Sequence, residues 1–510
     1  MPDRWNTYRI ELKGGLITNL SQLQHGSTAP GSARILRNFE PSIFGGYRRI
    51  EGFSKHDTNA LSNTGVVRGI LRYKDNVFAA RGNGLFRSSG SGWTEITNNA
   101  TFSSTGINLG SGSSKVRFLK YDFDGTEKFL VVDGDSGNKP FRFTNTVFSE
   151  LTALPNDTLG CTHVVNFKNH VFLASGKKLI FSAPYDETDF TSASGGGIIN
   201  IGDNITGLVV FREQLIVFSE NTINRITGSS IADFQLVPVS RDLGCVAEDT
   251  IQEIGGDILF LGPDGIRSFS STERIGDFNL AVVSKPIQTE VLDLISSSSS
   301  FTSLVIREKS QYRIFGYNSA YQSSAAKAIA GTQLQDGVSW NDLRGFKAYV
   351  SYSEYDGNAE FAYFANEDGY VYRMEQGNTF DGTNIVATFA TPYIPIQDPN
   401  LRKTVFKATT YIDADGQFDL LKSIKYDFDQ VNSIQPASIS LNNSTATSVV
   451  YGSGIYGTST FGTKQRYIYD EPVTGSGFTV SVLYETTGQT TDSTFTIDAT
   501  TIQFGLYGRR

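Results

Sequence analysis

Four histidines, His25, His56, His163 and His170, and two cysteines, Cys161 and Cys245, are the residues best equipped for metal binding or nucleophilic chemistry. Cys161 and His163, two positions apart, would share one face of a strand, as two zinc ligands might be spaced. No second Cys/His pair stands at ligand spacing, so both read as strand residues and no metal site is expected. Each cysteine follows a glycine at the same point of a repeated unit. Equivalent points two units apart are too distant for a disulfide, so both are expected as free buried thiols. The chain has no Gly-x-Ser-x-Gly elbow, no Walker loop and no His-Glu-x-x-His. Paired carboxylates for glycoside hydrolysis would have to come from groups such as Asp186, Glu187 and Asp189 in "PYDETDF". These cluster in turns, where Asp serves local backbone hydrogen bonds, and "SGSGWTEI" lacks the aspartate of a sialidase-type Asp box. No Asp-x-Asp-x-Asp run offers the six to eight oxygens that calcium needs. No catalytic residue, cofactor site or small-molecule substrate is therefore expected.

The elements that carry these residues repeat. Between Val66 and Arg373 the chain cycles seven times through an apolar strand, a buried strand, a Gly-centred turn and a strand of apolar residues and arginine. "KDNVFAARGNGLFR", "GGDILFLGPDGIRSF" and "AEFAYFANEDGYVYR" are the clearest copies, with Asn83-Gly84, Asp264-Gly265 and Asp368-Gly369 suited to the positive φ angles of tight hairpins. The central strands, at Phe78, Phe129, Phe172, Ile216, Leu259, Ile314 and Tyr363, recur every 43 to 55 residues. Short strands at such a period predict a β-propeller, because one blade cannot bury both of its faces and must stack on its neighbours. The unit near Phe301 is irregular, leaving six or seven blades.

A chain of 510 residues holds such a propeller with room for one further domain. Composition agrees with an all-β protein: Gly 51, Tyr 23 and Phe 36, with one helix candidate, "KPIQTEVLDLI", whose Ile287, Val291, Leu292 and Ile295 share a face. A formal charge of −8, with no basic cluster longer than Arg48-Arg49 or Arg509-Arg510, argues against gripping duplex DNA. No run of 18 apolar residues and no signal-peptide stretch occur, so a soluble, unexported chain is expected.

The segment "GGLITNLSQLQHGSTAPGSARILRNFEPSIFGGYRRIEGFS", from Gly14 to Ser54, resembles the opening of tail nozzle or hub proteins from short-tailed bacteriophages (podoviruses). These are similar to tail tubular protein B and packaged-DNA stabilisation proteins. The matching positions are Gly14, Gly15, Leu16, Leu36, Asn38, Gly46, Arg48, Arg49, Gly52 and Phe53. Leu179 to Gly228 and Asp242 to Phe269 resemble the family's central blades, and the likeness covers most of residues 10 to 280 plus the terminal "YGRR". It implies a virion structural protein of the phage tail, assembled in the host cytoplasm. Several copies, usually six, would form a ring below the portal and adaptor and complete the DNA exit channel, holding packaged DNA and permitting its ejection. Implied partners are other copies, the adaptor and portal, fibre or needle proteins, and double-stranded DNA that passes without sequence-specific binding. Assembly contacts are expected at Gly14, Gly15, Leu16, Asn38, Arg48, Arg49, Arg509 and Arg510. An acidic wall suits this role, since repulsion lets phosphates pass where binding would stall them.

The expected organisation is an N-terminal arm and closing strand at 1–55, a propeller at 56–394 and a C-terminal β-sandwich-like domain at 395–510. "YRRIEGF" at Tyr47 either closes the propeller or lies on a neighbouring subunit. "VVYGSGIYGTSTFG", from Val449, reads as a gate loop, a subunit contact or a plain surface loop. Two other functions remain open: a propeller-based receptor-binding or fibre protein, and a carbohydrate-active enzyme.

Overall fold

Each of the seven central runs forms the second strand of an antiparallel blade. Phe78 lies in Asn76–Arg81, Phe129 in Lys128–Val132, Phe172 in His170–Ser175 and Ile216 in Gln214–Ser219. Leu259 lies in Asp257–Gly262, Ile314 in Gln311–Tyr317 and Tyr363 in Ala359–Ala365. The computed structural model describes residues 5–507 apart from 105, 153, 271–281, 358, 431–433, 444–447, 450–459, 462–464 and 490–491.

These sheets stand in a ring. The first four blades are four-stranded sheets, the sixth and seventh are four-stranded parts of larger sheets, and the fifth, Gln252–Ile254, Asp257–Gly262 and Gly265–Ser268, has three strands and a single bridge from Arg267 to Val282. The innermost strands, beginning at Val67, Arg117, His163, Ile205, Gln252, Ser300 and Val350, surround the axis. A separate apolar cluster fills each gap between blades, as when Leu71, Phe78 and Leu85 of the first meet Phe129, Phe141 and Phe148 of the second. A pleated strand presents alternate side chains to its two faces, and both faces here meet a neighbour, so the middle strands are buried throughout. Pro238, which can donate no ladder hydrogen bond, sits in an outermost strand, Gln235–Ser240.

The ring is closed by the N-terminal segment. Phe53–Lys55 pairs antiparallel with Val371–Met374 as the fourth strand of the seventh blade, and the Phe53 ring stacks on Phe380 at 4.9 Å. Joining strands distant in sequence within one blade ties the two ends of the propeller together.

The sheets do not divide at residues 55 and 394. Asn6–Glu11 and Tyr47–Arg49 both pair with Phe495–Tyr507, and Phe39–Pro41 pairs with Tyr47–Arg49, so most of the N-terminal arm belongs to the C-terminal domain. "YRRIEGF" is thus split: Tyr47 and Arg49, both fully buried, lie in the sandwich, and Phe53 begins the closing strand. Thr388–Ala390, expected in the propeller, pairs with Val480–Thr486 of the sandwich. One sandwich sheet is built on Arg402–Ala414 and Phe495–Tyr507. The other, Thr388–Ala390, Val480–Thr486, Asp419–Tyr426 and Ile439–Asn442, continues through Ile35–Arg37 into the sixth blade. Buried Tyr484 crosses between the sheets, its hydroxyl 2.9 Å from Thr410 Oγ1 and 2.7 Å from Thr500 Oγ1. One apolar core therefore runs from the fifth and sixth blades into the sandwich.

Two local expectations shift. The helix starts as a 3-10 turn at Lys285–Ile287 and continues as Gln288–Ser297; its buried face is Ile287, Val291 and Leu294, with Leu292 exposed. Positive φ falls on Gly265 and Gly369, with Asp264 and Asp368 outside the left-handed region, whereas at the first hairpin neither Asn83 nor Gly84 takes it and Gly82 does.

Candidate assembly surface and axial chamber

The expected contact residues are largely internal. Gly15 (φ +66°) and Leu16 lie against the sixth blade, where Leu16 N–H donates to Trp340 O at 2.7 Å and a Cβ on Gly15 would meet Trp340 N at 2.7 Å. Asn38, 3% exposed, clamps two segments: its Nδ2 donates to Val386 O, and its Oδ1 accepts from Arg344 N. Arg49, 0% exposed, donates to the carbonyls of Asp492 and Asn378. Arg48 is half-buried and pairs with Glu51 at 2.7 Å and Asp415 at 3.7 Å. These side chains stitch the N-terminal segment to the propeller and sandwich of the same chain. Gly14 alone of the described candidates is exposed, and Arg509 and Arg510 lie outside the described residues, as does 450–459 of the glycine-tyrosine stretch.

What the same segment does expose is a hairpin tip. Between Phe39–Pro41 and Tyr47–Arg49 the chain turns through residues 42–46, leaving Ile43 45% and Phe44 89% exposed. The tip is held by Ser42 N–H to Gly46 O (3.1 Å), Gly45 N–H to Ser42 O (3.0 Å) and Phe44 N–H to Ser42 Oγ (3.1 Å). Gly45 and Gly46 take φ of +98° and +76°, and a Cβ on Gly46 would meet Ile497 O at 2.6 Å, so glycine is required there. The sequence signal for the tip is a pair of apolar residues, Ile43 and Phe44, beside Gly45-Gly46, which the sequence analysis did not single out.

Below the tip lies a cleft of about 420 Å³ lined by Glu40, Glu51, Glu308, Glu360 and Glu375 with Arg48 and Lys309. A buried ion network forms its floor. Arg313, 1% exposed, donates to Glu375 (2.6 Å) and Glu40 (3.3 Å), and Lys309 pairs with the same two carboxylates. Burial alone would raise Glu375, but Arg313 and Lys309 hold it down at about 2. Burial pushes Glu51 up, reinforced by the charges of Glu375 and Glu40 and opposed by Lys309 and Arg48. Because Glu40 is N-terminal while Lys309, Arg313 and Glu375 belong to the sixth and seventh blades, the network fixes the hairpin onto the propeller.

At the propeller axis, the innermost strands enclose a chamber of about 260 Å³. Arg117, from the second blade, makes a bidentate pair with Asp249, which precedes the fifth, at 2.8 and 3.0 Å. Lys115 Nζ joins at 3.1 Å. Burial opposes ionisation of Asp249, yet Arg117 and Lys115 hold its carboxyl far below the usual range. These pairs tie the second blade to the segment before the fifth at the axis.

Elsewhere chemistry does not converge. Cys161 packs between the second and third blades, its Sγ donating to Thr158 O, whereas His163 faces the axis, so the two share no site. Both cysteines are free and buried, and burial pushes Cys161 up to about 12 and Cys245 to about 11. Asp186 and Asp189 each accept from a threonine N–H and hydroxyl two residues on, as turn residues do. Glu187 pairs instead with Arg142 of the second blade at 2.8 Å. A cleft of about 750 Å³ between the sixth and seventh blades and the sandwich carries Arg37, Lys327, Arg344 and Lys347, each already paired with a carboxylate. Among the described residues no three His, Cys, Asp or Glu side chains gather as metal ligands, and no helix is long and apolar enough to cross a membrane.

Fold and surface together define a β-propeller protein with a β-sandwich built into its core. No protein-family model matches the chain, and no curated protein matches it. Among solved structures it is similar to the extracellular domain of a protein described as a one component system from B. thetaiotaomicron, at 9% identity and TM-score 0.40 over 70% of this chain and 43% of that one. It is also similar to PorZ, a surface component of the type-IX secretion system of Porphyromonas gingivalis, at 13% identity and TM-score 0.38 over 68% and 43%. An exo-beta-1,3-galactanase from Phanerochaete chrysosporium matches at 9% identity and TM-score 0.26 over 89% and 99%. The chain spans less than half the length of the first two, and likenesses this distant carry no argument about function.

Proposed function

We propose that this chain is a ring-forming structural subunit of the tail nozzle, or hub, of a short-tailed bacteriophage. Several copies, six by analogy with the family it resembles, line a DNA exit channel below the portal and adaptor. The observation that carries the reading is the Ile43–Phe44 tip. It lies inside the segment on which the resemblance rests, it is held rigid by its own turn hydrogen bonds and by the buried network beneath, and it presents an aromatic side chain to solvent. Rigid exposed aromatics are the anchors that protein interfaces use. In this reading the channel forms between copies. A net charge of −8 favours passage of a duplex over its capture.

The test is cryo-electron microscopy of the full chain, alone and on portal and adaptor rings, for the natural sequence and for Phe44→Asp. A closed ring with an axial channel, lost in Phe44→Asp while the melting temperature is kept, is the expected result. Absence of rings on the adaptor, a trimer that adheres to host glycans, or release of reducing ends from a polysaccharide would each overturn it.

A further inference from the structure

The sandwich sheet that carries the hairpin tip bears a second exposed aromatic group farther along its central strand, Phe495–Tyr507. Trp5 and Tyr507 are 53% and 54% exposed, and the Phe406 ring lies 4.8 Å from that of Trp5. Phe406 and Tyr507 both lie over Gly505, where a Cβ would meet Phe406 Cε2 at 3.0 Å and Tyr507 Cε2 at 3.2 Å. Phe406 is the extra residue of a bulge, for the register of Arg402–Ala414 against Phe495–Tyr507 shifts between Val405 and Lys407. Bulges of this kind re-aim a side chain out of the regular ladder. Scattered apolar residues on a surface need no explanation, but adjoining aromatics on a rigid sheet mark a place of contact.

Distance and charge say what covers it. Gly46, at the base of the tip, rests on Ile497 and Asp498, whereas the platform lies at Gly505 and Tyr507 of the same strand. About 25–30 Å of extended chain separates the two, so a tip held by its own turn bonds does not reach the platform of its own copy. One chain thus carries a projecting aromatic and, elsewhere, an aromatic bed with glycine at its base. Two unlike patches of this kind are what a head-to-tail contact needs, and a closed ring leaves neither of them free. Their rims also oppose one another. Arg402, across from Tyr507, donates to the neutral Ser476 Oγ and O, while exposed Glu308 beside the tip has no cation paired with it among the described residues.

We propose that the Ile43–Phe44 tip of one copy seats on the Trp5–Phe406–Tyr507 platform of the next, and that this contact, repeated, closes the ring. The inference rests on the ring-forming reading above and names the surface that receives the tip. The experiment places two full-length variants, Ile43→Cys and Thr7→Cys, in equal amounts on the adaptor ring and treats them with a short bismaleimide. Ile43 adjoins Phe44, Thr7 is exposed two residues from Trp5, and the natural Cys161 and Cys245 are buried and do not compete. Covalent pairs of unlike chains are expected, with no cross-linked pairs from either variant alone. Tyr507→Asp, a change at an exposed strand end, is expected to lose closed rings while keeping its melting temperature. Pairs formed by Ile43→Cys alone, cross-links to the adaptor in place of a second copy, or full rings from Tyr507→Asp would overturn this inference and leave the ring reading standing. Absence of rings from the natural chain on the adaptor would overturn both.

Discussion

Lys422 is a charge in the wrong place, and its removal should stabilise the protein. It lies in Asp419–Tyr426, between Tyr484 and Ile439 on the neighbouring strands, and is 0% exposed. Its Nζ reaches across the sandwich to donate to Ala408 O at 2.9 Å and Thr410 Oγ1 at 3.4 Å, both neutral acceptors. Asp470 and Glu471 act on it only through space, and Asp470 is taken up by Lys407 and Thr409. Burial accordingly lowers Lys422 to about 8. Against an unfolded lysine near 10.4, that difference amounts to about 3 kcal/mol. The unfolded chain binds the extra proton between these two values, so stability rises with pH from about 8 to about 10.4, and the whole penalty is present at neutral pH. Lys422→Met keeps the length and the apolar stem but leaves Ala408 O without its donor, a loss of about 1 kcal/mol. The net expectation near neutral pH is a gain of about 2 kcal/mol in urea unfolding, shrinking to nothing or reversing by about pH 9.5. Tyrosine ionisation is common to both proteins and drops out of their difference. A variant less stable than the natural protein at neutral pH, or a difference independent of pH, would refute the reasoning.

Further outcomes follow from the same structure. Arg313→Met leaves Glu40 and Glu375 buried without their main counter-charge and should cost about 3–5 kcal/mol in chemical unfolding. It should also change acid behaviour: with Glu375 held down at about 2, its contribution is complete above the ordinary carboxylate value and is lost only as pH falls toward 2. In the variant that loss should move up to about pH 4, read as an earlier acid unfolding midpoint. Gly15→Ala meets both a positive φ and Trp340 N at 2.7 Å, and should lower stability by more than about 1 kcal/mol. Deleting residues 1–55 removes the closing strand and leaves Val371–Met374 as an open edge; rapid proteolysis of the seventh blade or aggregation is expected, and a natural melting profile would contradict the closure.

The propeller was legible because its signal is local. An apolar run, a turn with glycine and a second apolar run carry their own hydrogen-bonding partners within about fifteen residues, and all seven central strands fall where the repeat places them. The irregular unit near Phe301 illustrates the limit. Its four strands, from Ser300–Ile306 to Gly337–Arg344, form a blade that also passes its edge to the sandwich, so its pattern serves two cores at once. The candidate surface was legible only as a segment. The stretch around Gly14 to Phe53 stood out, but Arg49 and Asn38 look like surface residues in sequence and are buried because carbonyls from residues 378, 386 and 492 reach them.

The sequence alone thus determined the β class, the blade repeat, the absence of familiar catalytic motifs and the acidic balance, since each depends on neighbours in the chain or on composition. Tertiary structure alone decided that the N-terminal arm joins the C-terminal strand Phe495–Tyr507, that Phe44 is left outside while Arg49 is taken in, and that Arg117 and Asp249 pair at the axis. Those outcomes depend on pairings between residues hundreds of positions apart, whose hydrogen bonds and charges are matched only when the ring closes.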